Sequence, residues 1–225
     1  MNSLQVRVLV VVGLLVTLSM GIAVAVGVRR WRALDRGQRW IVVGLAIFLG
    51  LAFLSLGLGM SGRKTRLVQE LPVLAGTLCF LIGLTSWQPS DWSRSSLRVM
   101  QVAFASLWVA AQFLQGWKDD FSTVSGPIHA TAIMVGASVT LITFARVGPG
   151  RWTTHPWFWI CIGMMVVYGT EVLLEPLMHQ IYPVRADLVA VAYVFHDVFS
   201  IVGWAIVTRG LSLSPVGPGK TKVFS

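Results

Sequence analysis

Apolar stretches of roughly twenty residues, the length a helix needs to cross a hydrocarbon core of about 30 Å, recur seven times along this chain. They fall at residues 8–28, 40–60, 71–87, 97–115, 128–145, 157–178 and 188–208. Inside lipid the backbone must satisfy its own polar groups, and a run of this length does so as an α-helix. The connections are too short to hold a soluble domain. Only 12% of the 225 residues are charged, about half the share of ordinary water-soluble domains, which excludes a soluble globular enzyme. The pattern predicts an all-α integral membrane protein. Residues 1–211 form one seven-helix transmembrane domain, and 212–225, with Pro215, Gly217, Pro218 and Gly219, form a flexible tail. No internal repeat is evident, which disfavours an inverted-repeat transporter.

The formal charge of +9 would point to nucleic acid in a water-soluble protein. Here the cations lie between apolar runs, so they orient helices and no nucleic-acid partner is expected. Ala23-Val24-Ala25 resembles a signal-peptidase site. Only Arg7 precedes the first run, however, while Arg29, Arg30, Arg32, Arg36 and Arg39 follow it. That distribution predicts a retained helix with its N-terminus outside.

With this orientation the inner segments also hold Arg94, Arg98, Arg146, Arg151, Arg209, Lys220 and Lys222, against Arg7, Arg63, Lys64, Arg66, Lys118 and Arg185 outside. The count is 12 to 6, so the C-terminus is expected on the cytoplasmic side, in a bacterial cytoplasmic membrane. Cys79 and Cys161 both lie inside apolar runs, where neither a disulfide framework nor a zinc site is indicated. Small residues at four-residue spacing (Ser19, Ala23 and Gly27; Ala46 and Gly50; Ser55 and Gly59; Ala132 and Gly136) predict close helix packing.

An ionisable side chain inside the hydrocarbon costs roughly 2.5–3.5 kcal/mol on insertion scales, so these residues are the first candidates for function. Asp197, with His196 beside it, lies near the middle of the last run, roughly 15 Å from its outer end. Tyr193, Asp197, Ser200 and Trp204 share one helical face. In the sixth run Tyr168, Glu171 and Glu175 line one side, and His179 follows beyond Pro176. His129 stands near the start of the fifth run. Gln101, Trp108 and Gln112 lie along one face of the fourth, ahead of Asp119 and Asp120 in the next loop. Most of these groups fall in the outer half of the expected bundle, which suits an outward-opening pocket better than a path across the membrane. A Glu171–His196 contact would tie the last two helices together. No His-x-x-x-His or Glu-x-x-His spacing supports a metal, and no cofactor is indicated.

Two resemblances bear on these residues. The string Asp197-Val198-Phe199-Ser200-Ile201 is similar to the last helix of microbial rhodopsins, where an aspartate precedes the retinal-binding lysine by four positions. Ile201 occupies that position here and no apolar run holds a lysine, so the resemblance implies no retinal Schiff base. Chain size and the acid in the last helix also look like the small membrane-integral terpene cyclases. Those carry a glutamate in an Asn-x-x-Trp-Glu setting in an early helix, and residues 40–60 contain no acid.

Three functional classes follow. The first is an intramembrane acid–base enzyme on a lipid or isoprenoid, with Asp197 and Glu171 as proton donor and acceptor. The second is a ligand-binding or sensory seven-helix protein signalling through a partner. In both, His196, Tyr193, Tyr168, Trp204, Ser200, Trp108, Gln112, Glu175 and His129 are the candidate ligand contacts. The third is a structural or assembly subunit. The expected partners are membrane lipids, a hydrophobic small molecule and other membrane subunits.

Overall fold

Each apolar run lies within a helix, save for Trp87 just past the end of the third, and residues outside the runs set where the helices begin. The computed structural model describes residues 3–61, 66–115, 125–147, 152–181 and 186–214. It contains α1 (Ser3–Arg29), α2 (Arg36–Ser61), α3 (Arg66–Ser86), α4 (Asp91–Gln115), α5 (Ser125–Val147), α6 (Pro156–Ile181) and α7 (Ala186–Ser212). Short 3-10 turns at Trp31–Ala33 and Trp152–Thr154 precede α2 and α6. No strand occurs among the described residues.

The starts have local causes. Asp35 Oδ1 accepts from the Gln38 amide at 2.8 Å while Gln38 Oε1 accepts from the Asp35 amide at 3.1 Å, a reciprocal cap that opens α2. Ser90 Oγ accepts from the Ser93 amide at 3.2 Å, and Asp91 adds negative charge to the first turn of α4. Pro156 occupies the first position of α6, where its missing N–H costs nothing.

Among the described residues, five helices are long and apolar enough to cross a membrane, with spans at Arg7–Arg29, Arg36–Leu54, Gly126–Arg146, Pro156–Leu174 and Leu188–Ser212. The apolar part of α3 is the shorter Glu70–Ser86, and α4 is diluted by Arg94, Arg98, Gln101 and Gln112. The described residues thus hold seven helices, and five of them have the character of a span. The exterior is apolar: Val10, Leu14, Leu18, Phe53, Phe113 and Leu173 are all exposed. The interior holds Gln38, Gln88, Gln112, Thr140 and Ser200. The interior is also largely apolar, so it is the exposed apolar surface that departs from the pattern of a water-soluble protein and fits a lipid surround.

The helices form a ring. Each packs on its neighbour in the chain, α7 returns to α1, and α3 also touches α5. The α6–α7 pairing is the most extensive, and glycines make it close. A Cβ on Gly163 would lie 2.6 Å from the Gly203 carbonyl oxygen, and one on Gly203 would lie 2.8 Å from that of Gly163. Of the small residues expected to pack, Ala23 is buried, Gly27 abuts Val42, and a Cβ on Gly136 would lie 3.0 Å from Leu84. Ala46 and Gly50 instead face outward, with no atom within 4 Å of a Cβ on Gly50. The side chains of Ser55 and Gly59 lie outside the described residues.

One end of the bundle is tied by side chains that satisfy the last carbonyls of α7. Gln38, fully buried, donates to the carbonyls of Gly210 at 3.3 Å and Leu213 at 3.4 Å. The Arg30 guanidinium donates to the Leu211 carbonyl and to Ser214 Oγ, both at 3.1 Å. Trp87 Nε1 donates to Asp35 Oδ1 at 3.0 Å. The four helices α1, α2, α3 and α7 are therefore joined by hydrogen bonds as well as by packing. At the same end, burial holds the His155 imidazole below its ordinary range.

Candidate functional site

Between five of these helices lies an open cavity of about 180 Å³, lined by Val16 and Met20 of α1, Phe48 of α2, His129 of α5, Val167, Tyr168 and Glu171 of α6, and His196, Ser200 and Trp204 of α7. The five contributing helices are the five that qualify as membrane spans.

On α6, Tyr168 and Glu171 stand one turn apart and so face the same way. The Glu171 carboxylate pairs with an imidazole from the neighbouring helix, His129 Nε2 to Glu171 Oε1 at 3.1 Å, with side-chain exposures of 7% and 19%. Glu171 therefore bonds to α5: of the contacts the sequence left open for this carboxylate, the structure shows a Glu171–His129 tie rather than one to His196. The reason is helix order: α6 lies between α5 and α7, and the carboxylate turns toward α5. His196 still lines the same cavity.

His196 is held by Thr170, whose Oγ1 lies 2.9 Å from His196 Nδ1. Thr170 Oγ1 also donates to the Val167 carbonyl at 2.8 Å. A hydroxyl has one hydrogen to give, so in this pair His196 Nδ1–H is the donor and Thr170 the acceptor. A neutral His196 then carries its lone pair on Nε2, which makes that nitrogen a hydrogen-bond acceptor or base.

Tyr168 is the aromatic hub. Its ring meets His129 edge-on at 5.8 Å, Phe80 at 6.2 Å and Trp204 at 6.2 Å. Tyr168 and Ser200 are both nearly buried and both line the cavity. Neither hydroxyl has a hydrogen-bond partner among the described residues. Buried polar groups are normally satisfied, so two such hydroxyls at a cavity wall are positioned for something that enters it.

The remaining candidates lie elsewhere. The face of α7 toward the cavity runs through His196, Ser200 and Trp204. Counting back from Ser200, His196 is offset by about 40° and Asp197 by about 60° in the opposite sense. Asp197 is half-buried, does not line the cavity, and makes no hydrogen bond among the described residues. Tyr193 is 43% exposed. Trp108 is buried on α4 with no partner for Nε1 among the described residues. Gln112 donates from Nε2 to Glu70 Oε2 at 3.2 Å, and Gln101 donates to Thr85 Oγ1 at 2.8 Å; both join α4 to α3. The side chains of Glu175 and His179, and Asp119 and Asp120 entirely, lie outside the described residues.

Sequence reasoning passed over Glu70, Thr170, Phe48 and Met20. Glu70 sits one residue ahead of the third apolar run, where a carboxylate reads as interfacial. Among the described residues no group of three or more His, Cys, Asp or Glu side chains is placed to hold a metal ion.

Compared with family models, with curated proteins and with solved structures, the chain matches none. Fold and site together define a helical bundle with membrane-compatible helices and, between them, a small, mostly apolar cavity that carries a few polar groups.

Proposed function

We propose that this chain is a seven-helix protein of a cytoplasmic membrane, N-terminus outside, that binds a small molecule in the cavity between α1, α2, α5, α6 and α7. The observation that carries the binding reading is the pair of unpartnered hydroxyls, Tyr168 and Ser200, facing a space beside the His129–Glu171 pair. The volume of about 180 Å³ is below the roughly 300–1,000 Å³ of drug-sized sites. It suits a small ligand or the head of a longer one, rather than a whole isoprenoid.

Seven spans are supported by α4 itself. Its Gln101 and Gln112 turn inward to α3, while Val99, Val102, Leu107, Val109 and Phe113 face outward. Its low apolarity therefore does not reach the lipid along most of its length. The 12 to 6 split of Lys and Arg supports the orientation. Both native cysteines are buried, so introduced ones can be read alone. In intact cells a membrane-impermeant maleimide should label Arg63→Cys, and should label Ser214→Cys only after permeabilisation. The reverse order of labelling sinks the orientation.

Native mass spectrometry of the gently extracted protein tests the pocket. A small-molecule adduct is expected, with occupancy falling about three- to tenfold in Ser200→Ala and in Tyr168→Phe, as loss of one neutral hydrogen bond implies. Absence of an adduct, or one indifferent to both substitutions, counts against the site.

A second reading is an acid–base enzyme acting on the head of a lipid or isoprenoid, with Glu171 and Asp197 in the proton-transfer roles. It is favoured by the placement of the Glu171 carboxylate and His196 on one cavity. Asp197 enters it only as the chain neighbour of His196. Turnover abolished in Glu171→Gln while adduct binding persists would select this reading.

A further inference from the structure

We propose that the molecule held in this cavity is a protonated alkylamine whose ammonium head occupies it. The proposal rests on reading the cavity as a ligand site, and names the chemistry that the site would select.

Three features of the lining converge on a cation with N–H donors. The first is the sign of the charge. Among the described residues that line the space, Glu171 is the only carboxylate and none is a lysine or arginine. The lining of α1 and α2 is Val16, Met20 and Phe48, which carry no charge, and the titratable groups are His129 from α5, Glu171 and Tyr168 from α6 and His196 from α7. A carboxylate in so apolar a setting requires a positive partner. A proton on His129 supplies one, and a bound ammonium supplies another. An anionic ligand would lie against Glu171 with no fixed cation to offset it.

The second feature is the surplus of acceptors. Glu171 Oε1 faces His129, which leaves Oε2 for a ligand. The tautomer imposed by Thr170 leaves the lone pair of His196 on Nε2. The Tyr168 and Ser200 hydroxyls can also accept. An alkylammonium carries three N–H donors for these groups, whereas an alcohol carries one.

The third feature is the wall. Phe48, Tyr168 and Trp204 surround the space, and aromatic faces attract a desolvated cation. Val16, Met20 and Val167 complete a lining suited to a short alkyl chain.

The test uses the full-length protein in lipid nanodiscs and three probes of nearly equal shape: 3-methylbutylamine, 3-methylbutan-1-ol and 3-methylbutanoate. Calorimetric titration should show the amine binding at least about tenfold more tightly than the alcohol, and the carboxylate not binding, as expected for a charge-assisted contact. Glu171→Gln should erase the preference for the amine and leave the affinity for the alcohol nearly unchanged. Should that variant fail to fold, Glu171→Asp keeps the charge but withdraws it, and should weaken the amine several-fold relative to the alcohol. Equal binding of amine and alcohol, both weakened by Ser200→Ala, overturns the amine and leaves the ligand site standing. No binding by any probe also overturns the amine. If native mass spectrometry then shows no adduct either, the ligand-site reading falls with it.

Discussion

Replacing Gly163 by alanine is expected to destabilise the bundle by about 3 kcal/mol, at the upper end of ordinary overpacking costs. The added Cβ would meet the Gly203 carbonyl oxygen at 2.6 Å, Val207 Cγ2 at 2.6 Å and the Val207 amide nitrogen at 2.9 Å. Two of these three are backbone atoms, so no side-chain rotation relieves the contact and α7 must move as a unit. Such a shift would also displace Ser200 and Trp204 relative to Tyr168 and Glu171, because the cavity lies on the same helix pair. Gly50→Ala is the control: its Cβ meets nothing within 4 Å, and removing backbone freedom from a helix should add about 0.5 kcal/mol. The measurement is the unfolding midpoint of both variants in a mixed detergent titration. If Gly163→Ala and Gly50→Ala unfold together, the α6–α7 approach is not what the glycines provide.

This contact was not legible in the sequence, and the reason is geometric. Gly163 and Gly203 are not paired with a small residue four positions away on their own helices. Each is small because of the other, across an interface that one chain read linearly does not reveal. The reverse holds for Ala46 and Gly50, whose spacing suggests packing although both face outward. Helix existence was legible throughout, since an apolar run of that length has few alternatives. Helix starts were not, because Asp35, Ser90 and Pro156 lie outside the apolar signal.

The candidate site divides in the same way. The cost of a polar group in an apolar run singled out Tyr168, Glu171, His129, His196, Ser200 and Trp204, and all six line one cavity. Which of them touch depends on the order of helices around the ring. Periodicity also could not separate His196 from Asp197, because both lie within about 60° of Ser200 on the helical wheel. Packing of α7 against α6 and α1 makes that choice.

The His129–Glu171 pair gives the second large effect, and its variants should fall in an unequal order. His129→Leu preserves much of the side-chain volume but leaves the Glu171 carboxylate, 19% exposed, without its partner, at a cost of about 3 kcal/mol. Glu171→Leu leaves an imidazole that can discharge by losing its proton, so only an unmet N–H remains, at about 1–2 kcal/mol. The double replacement removes both the charge and the orphaned donor, and apolar packing of similar volume is often as stable as the ion pair it replaces. It should therefore unfold within about 1 kcal/mol of the natural protein, far from the sum of the single losses. Unfolding midpoints of the four proteins close this cycle. Additive losses would mean that the two side chains do not share a buried pair. The same double variant separates structure from function, because it restores the packing between α5 and α6 while deleting the one carboxylate among the described residues of the cavity lining. A protein that folds normally and has lost its small-molecule adduct assigns the carboxylate to the ligand. One that folds normally and keeps the adduct assigns it to the fold alone.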